Sequence, residues 1–309
     1  MQVAEKTILG HQANEGLEAS KNTINIGPFS VSISCDQADL QASIMALYRY
    51  FPLSAGDFSD FRIDMTRPRG LRRWFRPQIN FTIDGFLPFK PLPNDQGLAL
   101  FEWGLNWCIT NHCHEYLIVH AAVIEKNGLS MILPAPPGAG KSTLCAALVC
   151  DGWRLLSDEL ALICLDDGHL IVPLCRPVCL KNRSIDIIKQ KYPQAEFGPI
   201  CRDTSKGDVA HMLAPEESVE KMSVFSAPQW IVFPRYGSTS STSLMPRSKA
   251  ETYFEIARQS FNFHVLGESG FNVLRGVVDQ CYCYDFEYSN LDEAIDCLNT
   301  LSFQVKRVE

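Results

Sequence analysis

Residues 135–142 read Ala-Pro-Pro-Gly-Ala-Gly-Lys-Ser and stand between an apolar run, Leu-Ser-Met-Ile-Leu-Pro, and a segment of helical composition that stops at Asp151-Gly152. A strand that turns through glycines directly into a helix commits the chain to an α/β architecture. Such a turn aims backbone N–H groups and a helix N-terminus at one point, which is how a protein cradles a phosphate. In that pattern the lysine reaches the β- and γ-phosphate oxygens and the following hydroxyl ligates Mg²⁺. Pro137, Gly138, Ala139, Gly140, Lys141, Ser142 and Thr143 are therefore the candidate nucleotide-binding residues. One position departs from the pattern, because Ala135 stands where a glycine is usual.

What reaches this loop follows from spacing. Asn127-Gly128 joins the strand-like runs 116–126 and 129–134 as a two-residue hairpin, so paired positions sum to 255 and His120 falls opposite Ala135. Beyond the helix, Ser157-Asp158-Glu159 interrupts an apolar stretch, with Asp158 only 17 residues after Lys141. Burying two carboxylates without partners costs on the order of several kcal/mol, so Mg²⁺, a lysine or a histidine is expected beside them. Asp158 is the candidate proton acceptor, with Ser142, Asp158 and Glu159 as candidate metal ligands and His120 orienting or polarising the carboxylate. The plainer readings are a core histidine and a surface turn. Further on, Arg176 and Lys181 flank Pro-Val-Cys-Leu and could neutralise a transferring phosphate, or stand as solvated charges at a strand end.

At 309 residues the chain has length for about two domains of roughly 150 residues each. A polar tail is expected over 1–20 and a small β-rich N-terminal domain over 21–95, with alternating runs such as Ile79, Phe81 and Ile83. The turn-rich segment 90–95 reads as the linker, followed by a catalytic domain over 96–309 that opens with an amphipathic helix over 99–109. The segment 189–215 reads as irregular and mobile, and Asn290 with Glu293 as the capping box of a last helix. Net charge −7 argues against nucleic acid as the default partner, and no apolar run approaches the ~20 residues of a membrane span. Twelve scattered cysteines fit free thiols in a reducing cytoplasm. Arg62, Arg67, Arg69, Arg72, Arg73 and Arg76, with Trp74 and Phe75 among them, form a basic patch that is either a solvated face or a dock for an acidic partner. His112-Cys113-His114 lacks the ligand spacing of a zinc site.

The loop is shared by several classes. No Asp-x-x-Gly switch occurs, Ser205-Lys206-Gly207-Asp208 only approaches a guanine-reading motif, and Leu266-Gly267-Glu268-Ser269-Gly270 is not an ABC signature. A kinase-like core whose acid follows the loop closely remains. His120-Ala121-Ala122, Gly138-Ala139-Gly140-Lys141-Ser142 and Leu156-Ser157-Asp158-Glu159 resemble the catalytic half of HPr kinase/phosphorylase, a core similar to that of phosphoenolpyruvate carboxykinase. Glu102-Trp103-Gly104-Leu105-Asn106-Trp107, Pro134-Ala135-Pro136-Pro137 and Arg176-Pro177-Val178-Cys179-Leu180-Lys181-Asn182 resemble the HprK-related kinase A family more closely, over about residues 50–305.

That resemblance implies a P-loop kinase core, a mixed sheet with flanking helices, using ATP and Mg²⁺. It implies Asp158 as the base activating a serine hydroxyl of a protein or peptide, assisted by His120, with Lys141 on the phosphates. It also points to a PqqD-like peptide-binding protein as partner, and a homo-oligomer is compatible with it. Glu159 stands where the family has a second Asp, and Arg176 and Lys181 occupy the region of its later Glu-rich signature, so phosphorylation carries over more safely than phosphorolysis. Two other readings stay open: an ATP-binding regulatory module without transfer, and a small-molecule kinase.

Overall fold

The computed structural model describes residues 22–54, 58–70, 75–166 and 168–304. The stretch Arg72, Arg73 and Trp74 of the basic patch lies outside the described residues, as does the expected tail. The first sheet runs β1 (Asn22–Ile26), β2 (Phe29–Cys35), β3 (Phe61–Thr66), β4 (Gln78–Ile83) and β5 (Leu92–Pro93) in that spatial order. All pairs are antiparallel except β2 with β3, which are parallel and joined through α1 (Ala38–Leu47). Apolar side chains on one face of β2 and β4 are buried while their neighbours are half-exposed, the period-2 pattern of a one-sided sheet.

That buried face needs a cover, and α2 (Gly97–His112) provides it. Gly104 lies so close to Phe81 that a Cβ there would be 2.3 Å from the ring. The segment 90–95 is stitched to the sheet, since Leu92 and Pro93 pair with Ile79 and Gln78. One buried core runs from Ile24 and Phe81 through Phe101 and Leu144 to Leu298, so packing is continuous across residues 90–96.

The second sheet is mixed and eight-stranded. Its members are β6 (Tyr116–Lys126), β7 (Leu129–Pro134), β8 (Arg154–Ser157), β9 (Leu160–Cys164), β10 (Ile171–Val172), β14 (Ala227–Tyr236), β15 (Ser243–Pro246) and β16 (Tyr282–Tyr288). Between β7 and β8 lies α3 (Lys141–Cys150). The spatial order is β10-β9-β6-β7-β14-β16-β15, with β8 also pairing β6. The β6–β7 turn is of type I′, Asn127 and Gly128 both having positive φ, and the register from Ala121↔Pro134 to Lys126↔Leu129 is the one expected. On β6, Leu117, Val119, Ala121 and Val123 join a core with α6 (Lys249–Gln259) and α8 (Glu268–Gln280). Ile118, Ala122 and Ile124 join the core containing α3 and α9 (Leu291–Gln304), so the sheet is covered on both faces.

Between these lies a third sheet, β11 (Val178–Lys181), β13 (Gly207–Met212) and β12 (Cys201–Thr204), with α4 (Arg183–Lys191) and α5 (Glu216–Glu220) beside it and α7 (Phe263–Leu266) leading into α8. Within the segment 189–215, expected to be irregular, residues 192–200 and 213–215 carry no helix or strand, but 201–212 form the β12–β13 hairpin. Asn290 caps α9 as expected, its side chain accepting from Asp292 and Glu293 N–H. The twelve cysteines are free thiols, most of them buried. Among the described residues no helix is long and apolar enough to cross a membrane.

Candidate active site

Three strands, β7, β14 and β16, run parallel, so their carboxyl ends share one edge of the sheet. The glycine loop leaves β7 there, and ligands of open α/β sheets bind at such an edge. Gly138 has φ +88° and Gly140 φ +90°, a conformation that costs an L side chain energy. A Cβ at Gly140 would also stand 2.7 Å from the Tyr288 hydroxyl and 3.0 Å from Tyr236 Cβ. Tyr236 N–H donates to the Ala139 carbonyl at 3.0 Å and the Tyr288 hydroxyl to the Gly140 carbonyl at 3.3 Å, so the ends of β14 and β16 hold the loop. Ala135 is buried and its backbone is not left-handed, which is why alanine serves where glycine is usual.

No side chain caps α3, and the first-turn amides of a helix have no intrahelical acceptor. Lys141, Ser142 and Thr143 lie in that turn, below an exposed crest of Pro137 and Gly138 and a half-buried Ala139. Lys141 is buried and its ammonium donates to His120 Nε2 at 3.1 Å. Burial, then the facing ammonium of Lys141, pushes the His120 imidazole down to about 4. Burial lowers Lys141 too, against the opposing pull of Asp158 and Glu159. The expected contact of His120 with a carboxylate is replaced by this one with Lys141, because His120 lies on the α3 side of β6 with its imidazole turned to the first residue of that helix.

Asp158 sits at the β8–β9 turn and is buried. Its Oδ2 accepts from Cys179 N–H at 2.9 Å and from the Ser142 hydroxyl at 3.3 Å, while Oδ1 has no partner. Burial raises its carboxyl to about 6 even though Lys141 pulls the other way. Glu159 accepts from Asn106 Nδ2, and Lys181 Nζ is 4.0 Å from its Oε1. Burial works to raise Glu159, but Lys141, Lys181, Arg176 and Lys206 outweigh it and hold the carboxyl below its ordinary range.

Arg176 departs from the expected role. Its guanidinium donates to Glu102 Oε2 at 2.5 Å, to the Glu102 carbonyl at 3.1 Å, to Tyr48 at 3.4 Å and to Asn106 Oδ1, all in the protein interior. The pair is committed to packing, and its link to the site is indirect: Asn106 accepts from Arg176 and donates to Glu159. A cavity of about 20 Å³, room for about one water, lies among Trp103, Asp158, Glu159, Arg176, Cys179 and His211.

Four residues here were outside the sequence reading as site residues: Glu102, Asn106, Lys206 and His211. Glu102 and Asn106 are four apart in the otherwise apolar run 98–109 of α2, a legible sign of a polar stripe. His211 is buried opposite Cys179 in the β11–β13 ladder, with neither ring nitrogen partnered. Among the described residues, no group of three or more His, Cys, Asp or Glu forms a ready-made metal cage.

A family model described as the SynChlorMet cassette protein ScmC matches residues 101–174. The match takes in most of α2, the hairpin with His120, the glycine loop, α3 and both acids. No curated protein matches the chain.

Proposed function

We propose that this protein is an ATP- and Mg²⁺-dependent kinase with a P-loop core, which transfers the γ-phosphate to a hydroxyl, serine first, of a protein or peptide. The observation that carries the reading is the joining of Asp158 to the phosphate loop through the Ser142 hydroxyl at 3.3 Å, with Lys141 buried beside them. A general base and a phosphate cradle in one constellation is what phosphoryl transfer needs.

The donor set fits the metal. Mg²⁺ prefers oxygen ligands and is usually held by one or two carboxylates together with substrate phosphates, so a complete protein cage is not required. Ser142 Oγ and the unpartnered Oδ1 of Asp158 are such donors, with Glu159 beside them. When bound, Mg²⁺ supplies charge neutralisation on the phosphate oxygens.

The residues do the rest. The loop amides and Lys141 hold the phosphate chain, and an anion there favours the charged form of a lysine that burial otherwise disfavours. Asp158, raised to about 6, is ionised at neutral pH yet basic enough to take the proton of an acceptor hydroxyl. His120 accepts from Lys141 and fixes the direction of the ammonium. Transfer then rests on positioning and charge stabilisation.

Incubation with γ-labelled ATP and a lysate of the source cell tests this directly. Wild-type protein should label a protein or peptide, Lys141→Ala should label nothing, and Asp158→Asn should bind ATP without transfer. Label at wild-type rate with Asp158→Asn would remove it as the base, and tight ATP binding with no labelled product would favour the regulatory module.

A further inference from the structure

The hairpin β12–β13 brings a lysine to the site that the phosphate-loop pattern does not contain. Its tip, residues 204–207, is fastened twice. Within the turn, the Thr204 hydroxyl accepts from Lys206 N–H at 3.1 Å and donates to the Gly207 carbonyl at 2.6 Å. Across to β11, Asn182 Nδ2 donates to the Lys206 carbonyl at 3.3 Å and Asn182 Oδ1 accepts from Asp208 N–H at 3.1 Å. Gly207 approaches Asn182 so closely that a Cβ would lie 2.1 Å from its Oδ1, so the tip is seated on the residue next to Lys181.

From that seat the Lys206 ammonium stands 5.0 Å above the Trp103 ring, a cation–π contact. Trp103 lines the cavity shared with Asp158 and Glu159, and the charge of Lys206 acts on both Glu159 and His120. Lys141, Lys181 and Lys206 all act electrostatically on one carboxylate, Glu159, with Lys181 Nζ 4.0 Å from its Oε1, while the nearby Arg176 is already neutralised by Glu102. Counting Asp158 as well, these three lysines leave one positive charge in excess over the two acids.

We propose that Lys206 is a binding residue for the terminal phosphate of a nucleoside triphosphate, supplied by the β12–β13 tip to the end of the phosphate chain that faces Asp158. The assignment rests on the nucleotide-site reading above and adds a ligand that discriminates triphosphate from diphosphate. Asn182 anchors the Lys206 backbone and the Trp103 ring lies beneath its ammonium, so the side chain is directed to the site before the nucleotide arrives.

Calorimetric titration of the full-length protein with Mg²⁺ and either AMP-PNP or ADP separates the outcomes. Lys206→Ala should weaken AMP-PNP about tenfold, the loss of one charge-assisted contact, and ADP less than about threefold. Lys206→Arg, which keeps the charge over Trp103, should restore AMP-PNP affinity to within about threefold. Because Lys206 is exposed, both variants should melt with the wild type. Equal affinities of wild type and Lys206→Ala for AMP-PNP, or equal weakening of both nucleotides, would overturn the assignment while the nucleotide site stands. Wild-type protein that binds neither nucleotide, or Lys141→Ala that binds both unchanged, would overturn the site itself and this assignment with it.

Discussion

Replacing Arg176 by Met distinguishes a phosphate ligand from a packing residue. In the fold its guanidinium is buried against Glu102, and among the described residues the Glu102 carboxylate has Tyr48 OH, at 2.7 Å, as its other side-chain partner. Removing one member of a buried ion pair strands the other, a cost of about 3–5 kcal/mol. Scaled to a chain of this size, that lowers the melting temperature by about 5–8 °C. Replacing both, as in E102L/R176M, leaves no unpaired charge at this position but takes a partner from the Tyr48 hydroxyl and from Asn106 Oδ1, at about 1–2 kcal/mol each. The double variant should therefore be more stable than either single one, and Y48F/E102L/R176M closer still to wild type. Chemical denaturation gives the stabilities and nucleotide titration the affinity, which should stay within about threefold of wild type in the double variant. Additive losses would refute the ion-pair account, and a stable double variant with nucleotide affinity lost would restore Arg176 as a phosphate ligand.

Acid–base linkage gives a second expectation, measured by denaturant midpoints between pH 4 and 7. Asp158 is raised by burial to about 6 from an ordinary 3.8, so the folded state binds more protons there and stability falls as pH rises across that window; His120, lowered to about 4 from 6.5, does the reverse. Each amounts to roughly 3 kcal/mol over its window. The two oppose one another in the wild type, so Asp158→Asn should gain stability from pH 4 to 6 and His120→Asn should lose it; identical pH profiles for all three proteins would refute the shifts. Gly104→Ala should cost about 1–3 kcal/mol from overpacking on Phe81, and a neutral melting temperature would show that the ring gives way.

Much of this arrangement was legible before the fold. The Asn127-Gly128 turn fixes both the hairpin and its register because a type I′ turn admits few residues and its strands alternate without a gap. Asn290 likewise announces α9 through local hydrogen bonding alone. The β12–β13 hairpin was not legible: β12 is four residues, Cys-Arg-Asp-Thr, two of them exposed polar groups, so its pairing depends on β13 rather than on its own pattern. The reach of α2 was hidden for another reason. An apolar helix carries no mark of whether it belongs to the sheet before it or the one after, and here it packs into a core shared by both. The partner of His120 could not be read either, since strand register sets which face it takes but not which of several nearby groups it meets.

The hold of Tyr236 and Tyr288 on the glycine loop bears on when this chain acquires its site during synthesis. The eight residues of the motif are made well before their props, since the backbone they must adopt is held by positions about 100 and 150 residues later in the chain. Long-range closure of that kind is slow and comes late. A chain shortened to end before Tyr288 therefore keeps the loop sequence but lacks one of the two props that shape it, so the loop conformation depends on residues far along the chain.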